Sequence, residues 1–220
     1  MSGTTITPIP LGPCTSYLLR GEGAVLVDAG MPGDERRILQ ALAAADLGPG
    51  DIAAIIVTHC HIDHVGGLAK LKELTGATVA VGRADADWLR TGTSPVLRPR
   101  STAGRVLSTV IRPKPYPAVE PDLPVDQELP LELFGLPGRI VATPGHTPGS
   151  VSIVLDGREA IVGDLLMAMV SPRRPTLPIF ADDLEQVKTS IRTLLQMGCH
   201  RFYLGHGGPC EAELVRRLVG

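Results

Sequence analysis

The amino-acid sequence predicts a single domain of the α/β class, built from two similar halves. Short apolar segments typical of strands alternate with amphipathic segments typical of helices, and this order repeats in the second half. In both halves a potential metal ligand follows the carboxyl end of a strand, where loops leave a sheet edge and sites commonly form. At 220 residues the chain has ample length for one core. We therefore expect one domain over 1–220, with halves at about 1–117 and 118–220.

The first half begins with two strands that pair around the turn Gly21-Glu22-Gly23. A helix follows, because Ile38, Leu39 and Leu42 fall on one face at helical spacing. The next strand is apolar throughout and leads directly to His59. The predicted strands are 14–20, 24–28, 52–57 and 77–81, and the predicted helices are 34–46 and 65–74.

The second half repeats this theme with a strand that leads to His146 and a last strand that leads to His206. Between them, two strands are predicted to pair around Asp156-Gly157. The predicted strands are 138–142, 151–155, 160–162 and 201–204, and the predicted helices are 182–197 and 211–218.

Seven potential metal ligands dominate the sequence, and five of its six histidines belong to this set. Four lie in one short run and three stand alone in later motifs. A random scatter of histidines would rarely be so concentrated, and no packing requirement produces this spacing. The set predicts a metal site, with enough ligands for two metal ions. Its members are His59, His61, Asp63, His64, His146, Asp164 and His206.

The spacing within the short run favours metal binding. His59 and His61 are two residues apart, so their side chains emerge on the same side at the end of a strand and can hold one cation at about 2.0–2.1 Å. Asp63 and the histidine after it follow as the chain turns away, so they face a neighbouring position. The carboxylate of Asp164 has two oxygens and can bridge two cations. Imidazole and carboxylate without thiolate suit zinc, manganese or iron, and Cys60 should point away by alternation.

These motifs, taken in order, resemble those of the metallo-β-lactamase superfamily. The resemblance rests on five segments and extends from about Tyr17 to His206, nearly the whole chain. It implies an αββα sandwich, two sheets packed face to face with helices outside, and a metal site at one edge. The segments are Ala24–Gly30, His-x-His-x-Asp-His with Gly66-Gly67, Pro-Gly-His-Thr at 144–147, Gly-Asp at 163–164 and Gly-His-Gly at 205–207.

The resemblance also implies roles for individual residues. One metal is expected to take His59, His61 and His146, the other to take Asp63, His64 and His206, and Asp164 to bridge them. Asp28, together with Thr58, is expected to orient the ligand loop. The implied cofactors are two divalent ions, with zinc favoured over manganese and iron.

The function expected from such a site is metal-dependent hydrolysis of an ester, thioester, lactone or phosphoester. A hydroxide held between the two metals would attack, and Asp63 would position it and pass a proton to the leaving group. Asp164 disfavours a β-lactamase, since those enzymes typically carry Cys or Ser there. Gly207-Gly208 stands where glyoxalase II relatives usually have Glu-Tyr, and Met167 where lactonases often have Tyr. The exosite arm of transfer-RNA processing nucleases is absent from the sequence.

Two other classes of function remain open at this point. Persulfide dioxygenases show a similar pattern but bind one iron through two histidines and one aspartate, here His59, His146 and Asp164. A metal-binding protein without catalysis is the third alternative. Oxygen uptake with a persulfide would distinguish a dioxygenase from a hydrolase. Bound metal without turnover would indicate the non-catalytic metal-binding protein.

Residues 88–117, the basic segment, carry six arginines and lysines, no acidic residue and several prolines, so a long regular element is not expected there. We expect this segment to lie near the active site. A second basic pair, Arg173 and Arg174, follows the Asp164 strand. These cations either bind an anionic substrate through fork-like hydrogen bonds or belong to solvated loops.

Composition limits the remaining possibilities. A net charge of −2 offers no general attraction to nucleic acid or an anionic membrane, so a small-molecule substrate is expected. No signal-peptide pattern and no apolar run near ~20 residues is visible, which predicts the cytoplasm. The four cysteines lack metal or disulfide spacing and are expected to be buried thiols, with Cys210 more exposed. The sequence gives no oligomeric state.

Overall fold

The structure is a four-layer sandwich in which two six-stranded sheets pack face to face between outer layers of helices. It is a computed structural model that describes residues 3–155 and 158–220. The αββα architecture expected from the sequence is confirmed. The predicted turn at Asp156-Gly157 lies outside the described residues.

The first sheet has its strands in chain order, from one edge to the other. The strands are β1 (Thr5–Pro10), β2 (Thr15–Arg20), β3 (Ala24–Val27), β4 (Ile52–Val57), β5 (Thr78–Gly82) and β6 (Leu123–Val125). The first three strands are antiparallel, and β3 to β6 are parallel. Because β6 comes from beyond residue 117, the first sheet takes its last strand from the second half of the sequence.

The second sheet is mostly antiparallel. Its strands are β7 (Glu128–Pro130), β8 (Arg139–Ala142), β9 (Val151–Leu155), β10 (Glu159–Ile161), β12 (Arg201–Tyr203) and β14 (Cys210–Glu211). They lie in the order β14-β12-β10-β9-β8-β7, with β10 and β12 parallel. A small parallel pair, β11 (Met167–Ala168) and β13 (His206–Gly207), joins the segments that follow β10 and β12.

Helices cover the outer faces of both sheets. They are α1 (Glu35–Ala44), α2 (Ile62–Val65), α3 (Leu68–Thr75), α4 (Ala86–Thr91), α5 (Thr102–Leu107), α6 (Leu184–Gln196) and α7 (Ala212–Val219). Apolar side chains of α1, α3 and α4 pack on the first sheet, and those of α6 and α7 pack on the second. No helix of the described residues has the length and apolar character needed to span a membrane.

The strand β4 shows why the sequence needs an apolar run before the first histidine motif. Its residues Ala54 and Ile56 pack between the two sheets, whereas Ile55 and Val57 pack against the outer helices. A strand that is buried on both faces is apolar at every position instead of alternating. The burial on both faces fixes the register of β4 and therefore the point at which His59 leaves it.

The structure differs from the sequence prediction in a few local features. The helix predicted at 65–74 is divided at Gly66-Gly67, between α2 and α3. Glycine is required at 67, because a Cβ there would clash with the carbonyl of Ala29 in the loop after β3. The strands β1, β6, β7, β11, β13 and β14 are not predicted, and all but β1 have only two or three residues. Cys210, expected to be more exposed, is buried between β12 and α7.

Candidate metal centre

The seven predicted ligands come together at one edge of the sandwich, in the loops that follow four strands. His59 and His61 follow β4, and α2 begins immediately after them. His146 follows β8, Asp164 follows β10, and His206 follows β12. Potential ligand atoms form three groups within 4.8 Å: His59, His61 and His146; His59, His64 and Asp164; and Asp63, His64 and His206.

The first group consists of three buried imidazoles. Nδ1 of His61 lies 3.0 Å from Nε2 of His146, so the two imidazoles are in direct contact. Burial lowers the pKa of His59 well below its ordinary value, lowers that of His61 to about 3, and lowers that of His146. These histidines are therefore neutral near pH 7, which is the form that binds a metal ion.

The second group combines imidazoles with carboxylates. Nε2 of His206 lies 3.2 Å from Oδ2 of Asp63, and Nε2 of His64 lies 3.8 Å from the same oxygen. Burial lowers the pKa of His64 and of His206, but the neighbouring carboxylates outweigh it and raise these values to about 9 and about 11. The electrostatic potential here favours positive charge, which a divalent cation would also supply.

Asp164 lies between the two groups. Its Oδ2 is 3.8 Å from Nε2 of His146 and 3.3 Å from Nε2 of His206, while its Oδ1 is 3.5 Å from Nε2 of His64. Burial opposes ionisation of Asp164, but His206 and His64 outweigh it and hold its pKa well below the ordinary value. One carboxylate thus faces nitrogens from both groups.

Backbone carbonyls orient two of the histidines. Nδ1 of His146 lies 2.9 Å from the carbonyl oxygen of Phe180, and Nδ1 of His206 lies 2.7 Å from that of Pro13. A carbonyl oxygen only accepts hydrogen bonds, so each Nδ1 carries the proton and donates. In the neutral form that binds a metal ion, the lone pair is then on Nε2, which faces Asp164 in both histidines.

Asp28 orients one histidine of each group. Its Oδ2 accepts from Nδ1 of His64 at 2.7 Å and from the hydroxyl of Thr58 at 2.8 Å, while its Oδ1 accepts from the Thr58 backbone N–H at 2.7 Å. The Thr58 hydroxyl has given its hydrogen to Asp28, so it accepts from Nδ1 of His59 at 3.1 Å. Asp28 has a φ of 62°, a conformation that is uncommon for residues other than glycine.

Several buried polar atoms of the centre have no hydrogen-bond partner within the described residues. They are Nε2 of His59, His61 and His64 and Oδ1 of Asp164. A buried polar atom without a partner costs about 1–3 kcal/mol, so a cluster of four in one place requires an explanation. Metal ions are the appropriate partners, because neutral imidazole nitrogens and carboxylate oxygens are ligands of zinc, manganese and iron. The residues present therefore fit such ions.

Gly205 gives the centre the space that it needs. A Cβ at this position would clash with Oδ1 of Asp164 and with Cε1 of His64. Gly205 also donates its N–H to the carbonyl of Gly163, at 2.9 Å. Any larger residue before His206 would therefore displace the carboxylate that lies between the two groups.

Asp85 belongs to the site although the sequence analysis did not identify it. It is buried at the start of α4 and accepts from the backbone N–H of Cys60 at 3.1 Å. It also accepts from the hydroxyl of Thr147 at 2.8 Å and from the N–H of Gly149 at 2.7 Å. Burial raises the pKa of Asp85 to about 6, although these hydrogen bonds lower it. Asp85 therefore ties the loop of His59 to the loop of His146.

Comparison with known proteins identifies the family. The family model described as the metallo-beta-lactamase superfamily matches residues 9–206. The chain belongs to the metallo-beta-lactamase superfamily. The chain is 30% identical to the probable metallo-hydrolase MJ0888 of Methanocaldococcus jannaschii, over 87% of this chain and 86% of that protein. It is also 30% identical to the probable metallo-hydrolase YflN of Bacillus subtilis, over 87% of this chain and 78% of that protein.

Solved structures of this superfamily share the fold. The crystal structure of metallo-beta-lactamase SMB-1 bound to 2-mercaptoethanesulfonate is 25% identical, with a TM-score of 0.69 over 91% of this chain and 76% of that one. The Rm3 metallo-beta-lactamase is 26% identical, with a TM-score of 0.67 over 90% of this chain and 74% of that one. The family resemblance seen in the sequence is confirmed.

The candidate centre of this superfamily member forms the floor of a cavity of about 470 Å³. His61, Asp63, His146, Asp164 and His206 line it from below, and residues of the basic segment line its side. The residues from the basic segment are Ser94, Leu97, Leu107 and the run 110–114.

The predicted substrate-binding arginines lie elsewhere. Arg173 and Arg174 are exposed and do not line this cavity, whereas Arg112 and Lys114 do. Arg90 and Arg98 of the basic segment are engaged in ion pairs with Asp87, Glu120 and Asp182. The structure does not test binding by Arg173 and Arg174, and this role stays a prediction.

Proposed function

We propose that this protein is a hydrolase that uses two divalent metal ions to cleave an ester, a thioester, a lactone or a phosphoester of a small molecule. The observation that carries the proposal is the arrangement around Asp164. One group of three ligands lies on each side of this carboxylate, and buried nitrogens of both groups have no partner among the described residues. The names of the relatives, probable metallo-hydrolases, agree with this reaction class.

The side chains would divide between two ions. His59, His61 and His146 would hold one, and Asp63, His64 and His206 would hold the other. Asp164 would contact both. When bound, two such ions lower the pKa of a water molecule and polarise the carbonyl or phosphoryl oxygen that is attacked. Zinc is the favoured metal, and manganese and iron are the alternatives.

Asp63 would have a second role in proton transfer. Its side chain is 28% exposed, whereas that of Asp164 is only 5% exposed, and Asp63 lines the cavity above the centre. A carboxylate in this position can accept a proton from the attacking water and deliver it to the leaving group. Its pKa is low, about 2, because His64 and His206 outweigh the effect of burial. Asp63 is therefore ionised at neutral pH and ready to accept.

Metal stoichiometry with single-ligand variants tests the proposal. We expect mass spectrometry to find about two zinc or manganese ions per chain in protein purified without chelators. His61→Ala and His206→Ala should each bind about one ion and lose turnover of ester, thioester and phosphoester probes. His200→Ala is the matched control, because His200 is exposed and outside the set, and it should keep two ions.

Other outcomes would select the alternatives. About one iron per chain, together with oxygen uptake on a persulfide, would replace the hydrolase with a dioxygenase that uses His59, His146 and Asp164. Two bound ions without turnover on the whole panel would indicate a metal-binding protein instead.

A further inference from the structure

The upper part of the cavity is lined mainly by apolar side chains. Leu107, Val110 and Ile111 contribute from the basic segment, and Met169, Ile179 and Phe180 contribute from the segments that follow Asp164. Beyond the floor, Arg112 and Lys114 are the only charged residues among its described lining, and both are exposed. A small-molecule cavity of this kind uses its walls for apolar contact and its few polar groups for orientation.

Part of this apolar wall is left exposed by folding. Val110 is 75% exposed, Ile111 45% and Met169 66%, yet all three face the same cavity. Single exposed apolar residues are ordinary, but a group that surrounds one cavity above a catalytic floor indicates a binding surface. Among the described residues these side chains remain in contact with water, and a molecule bound in the cavity would cover them.

We propose that the substrate carries an apolar acyl chain that packs against this wall while its ester, thioester or lactone carbonyl lies over the centre. This inference rests on the proposed hydrolase function. Hydrolysis would add water across the acyl–oxygen or acyl–sulfur bond and release the carboxylate of the apolar chain, a proton and an alcohol or thiol. With a lactone, the carboxylate and the alcohol would remain in one molecule. The volume of about 470 Å³ lies within the range of about 300–1,000 Å³ typical of small-ligand sites.

The shortage of polar side chains argues against a highly polar substrate. A sugar or nucleotide would need hydrogen-bond partners along its length, whereas Ser94 is the main neutral polar side chain in the described wall. Polar groups buried without partners would oppose binding. An acyl chain requires no hydrogen-bond partners along its length.

A series of linear carboxylates tests the wall without requiring turnover, because these are the products of the proposed reaction. We would measure the affinity of the zinc-loaded protein for acetate to decanoate by calorimetry. Each added methylene is expected to raise affinity about two- to fourfold until the cavity is filled. The double variant Val110→Ser/Ile111→Ser should flatten this increase.

The matched control is Val96→Ser/Val106→Ser. Val96 and Val106 lie in the same basic segment and are each 65% exposed, but they do not line the cavity. The control variant should keep the wild-type increase in carboxylate affinity with chain length. The inference would be overturned if affinity were equal along the carboxylate series, or if both double variants lost the increase in affinity with chain length to the same extent.

A parallel series of acyl esters separates this inference from the proposed function. If esters are hydrolysed with a kcat/KM that does not depend on acyl-chain length, the proposed binding of an acyl chain to the apolar wall is contradicted and the proposed hydrolase function still holds. If carboxylate affinity increases with chain length but no ester is hydrolysed, the binding of an acyl chain to the wall is supported and the proposed hydrolase function is contradicted.

Discussion

The floor and the side wall of the cavity are built in opposite ways. On the floor, His64, His146 and His206 each donate Nδ1–H to a fixed oxygen. Buried hydrogen bonds to Asp85 join the loops of His59 and His146. Part of the wall comes from the basic segment, where Val110 is 75% exposed and Ile111 45%. The segment is attached near its middle, where the N–H of Arg100 donates to the carbonyl of Ile179 and the N–H of Ala181 donates to that of Arg98.

This difference teaches that the chemistry and the substrate range reside in different parts of the chain. A rigid, buried floor tolerates little change, since each ligand depends on its neighbours. An exposed wall can change its side chains at small cost in stability. Substitutions in the floor should therefore reduce turnover of every substrate, whereas substitutions in the wall should act on affinity and on the choice among substrates.

The largest effect is expected for Gly205→Ala. The added methyl group would displace Asp164 and His64, so we expect the loss of about one metal ion and a decrease in kcat of about 10³-fold. Gly50→Ala is the control, because a Cβ at Gly50 meets nothing within 4 Å. Metal analysis and steady-state kinetics measure both effects. A Gly205→Ala protein with normal metal content and normal kcat would show that the floor is less rigid than the contacts indicate.

An intermediate effect is expected for Asp85→Ala. The substitution leaves the N–H groups of Cys60 and Gly149 and the hydroxyl of Thr147 without their acceptor, so the free energy of unfolding should decrease by about 3 kcal/mol. Urea denaturation measures this change. Asp87→Ala, two residues away in α4 but exposed, should change the free energy of unfolding by less than about 1 kcal/mol. Equal values for the two variants would mean that Asp85 does not tie the two ligand loops together.

The smallest effect is expected in the wall, for Arg112→Ser/Lys114→Ser. Both cations line the cavity and are exposed, so their loss should raise KM for anionic substrates about three- to tenfold and leave kcat nearly unchanged. Steady-state kinetics with a charged and an uncharged ester of the same acyl chain measures the difference. Arg173→Ser/Arg174→Ser provides the comparison, and a larger effect there would favour the sequence prediction over the geometry of the cavity.

The parts of the site that could be predicted from the sequence follow from strand geometry. The strand β4 is buried on both faces, so its apolar run and the histidines after it are visible in one sequence. Asp85 could not be predicted, because it stands in no motif, meets Cys60 across the neighbouring strands β4 and β5, and meets Gly149 only when the two sheets pack together.

The wall could not be predicted for a different reason. Prolines interrupt the basic segment, so it has no periodicity to mark which side chains face inward. Its charges suggested an anion site, yet Arg90 and Arg98 pair with carboxylates of the protein itself. The apolar residues between these charges form the surface that faces the centre.

Phe180 connects the two regions through a single residue. It lines the cavity, and its carbonyl accepts from His146. A substitution here that moved the backbone would alter substrate contact and the orientation of His146 together, so neither could be adjusted independently. Diversification of this protein, in nature or in the laboratory, should therefore avoid residue 180 and proceed through 107–111, where new specificities can arise without disturbing a ligand.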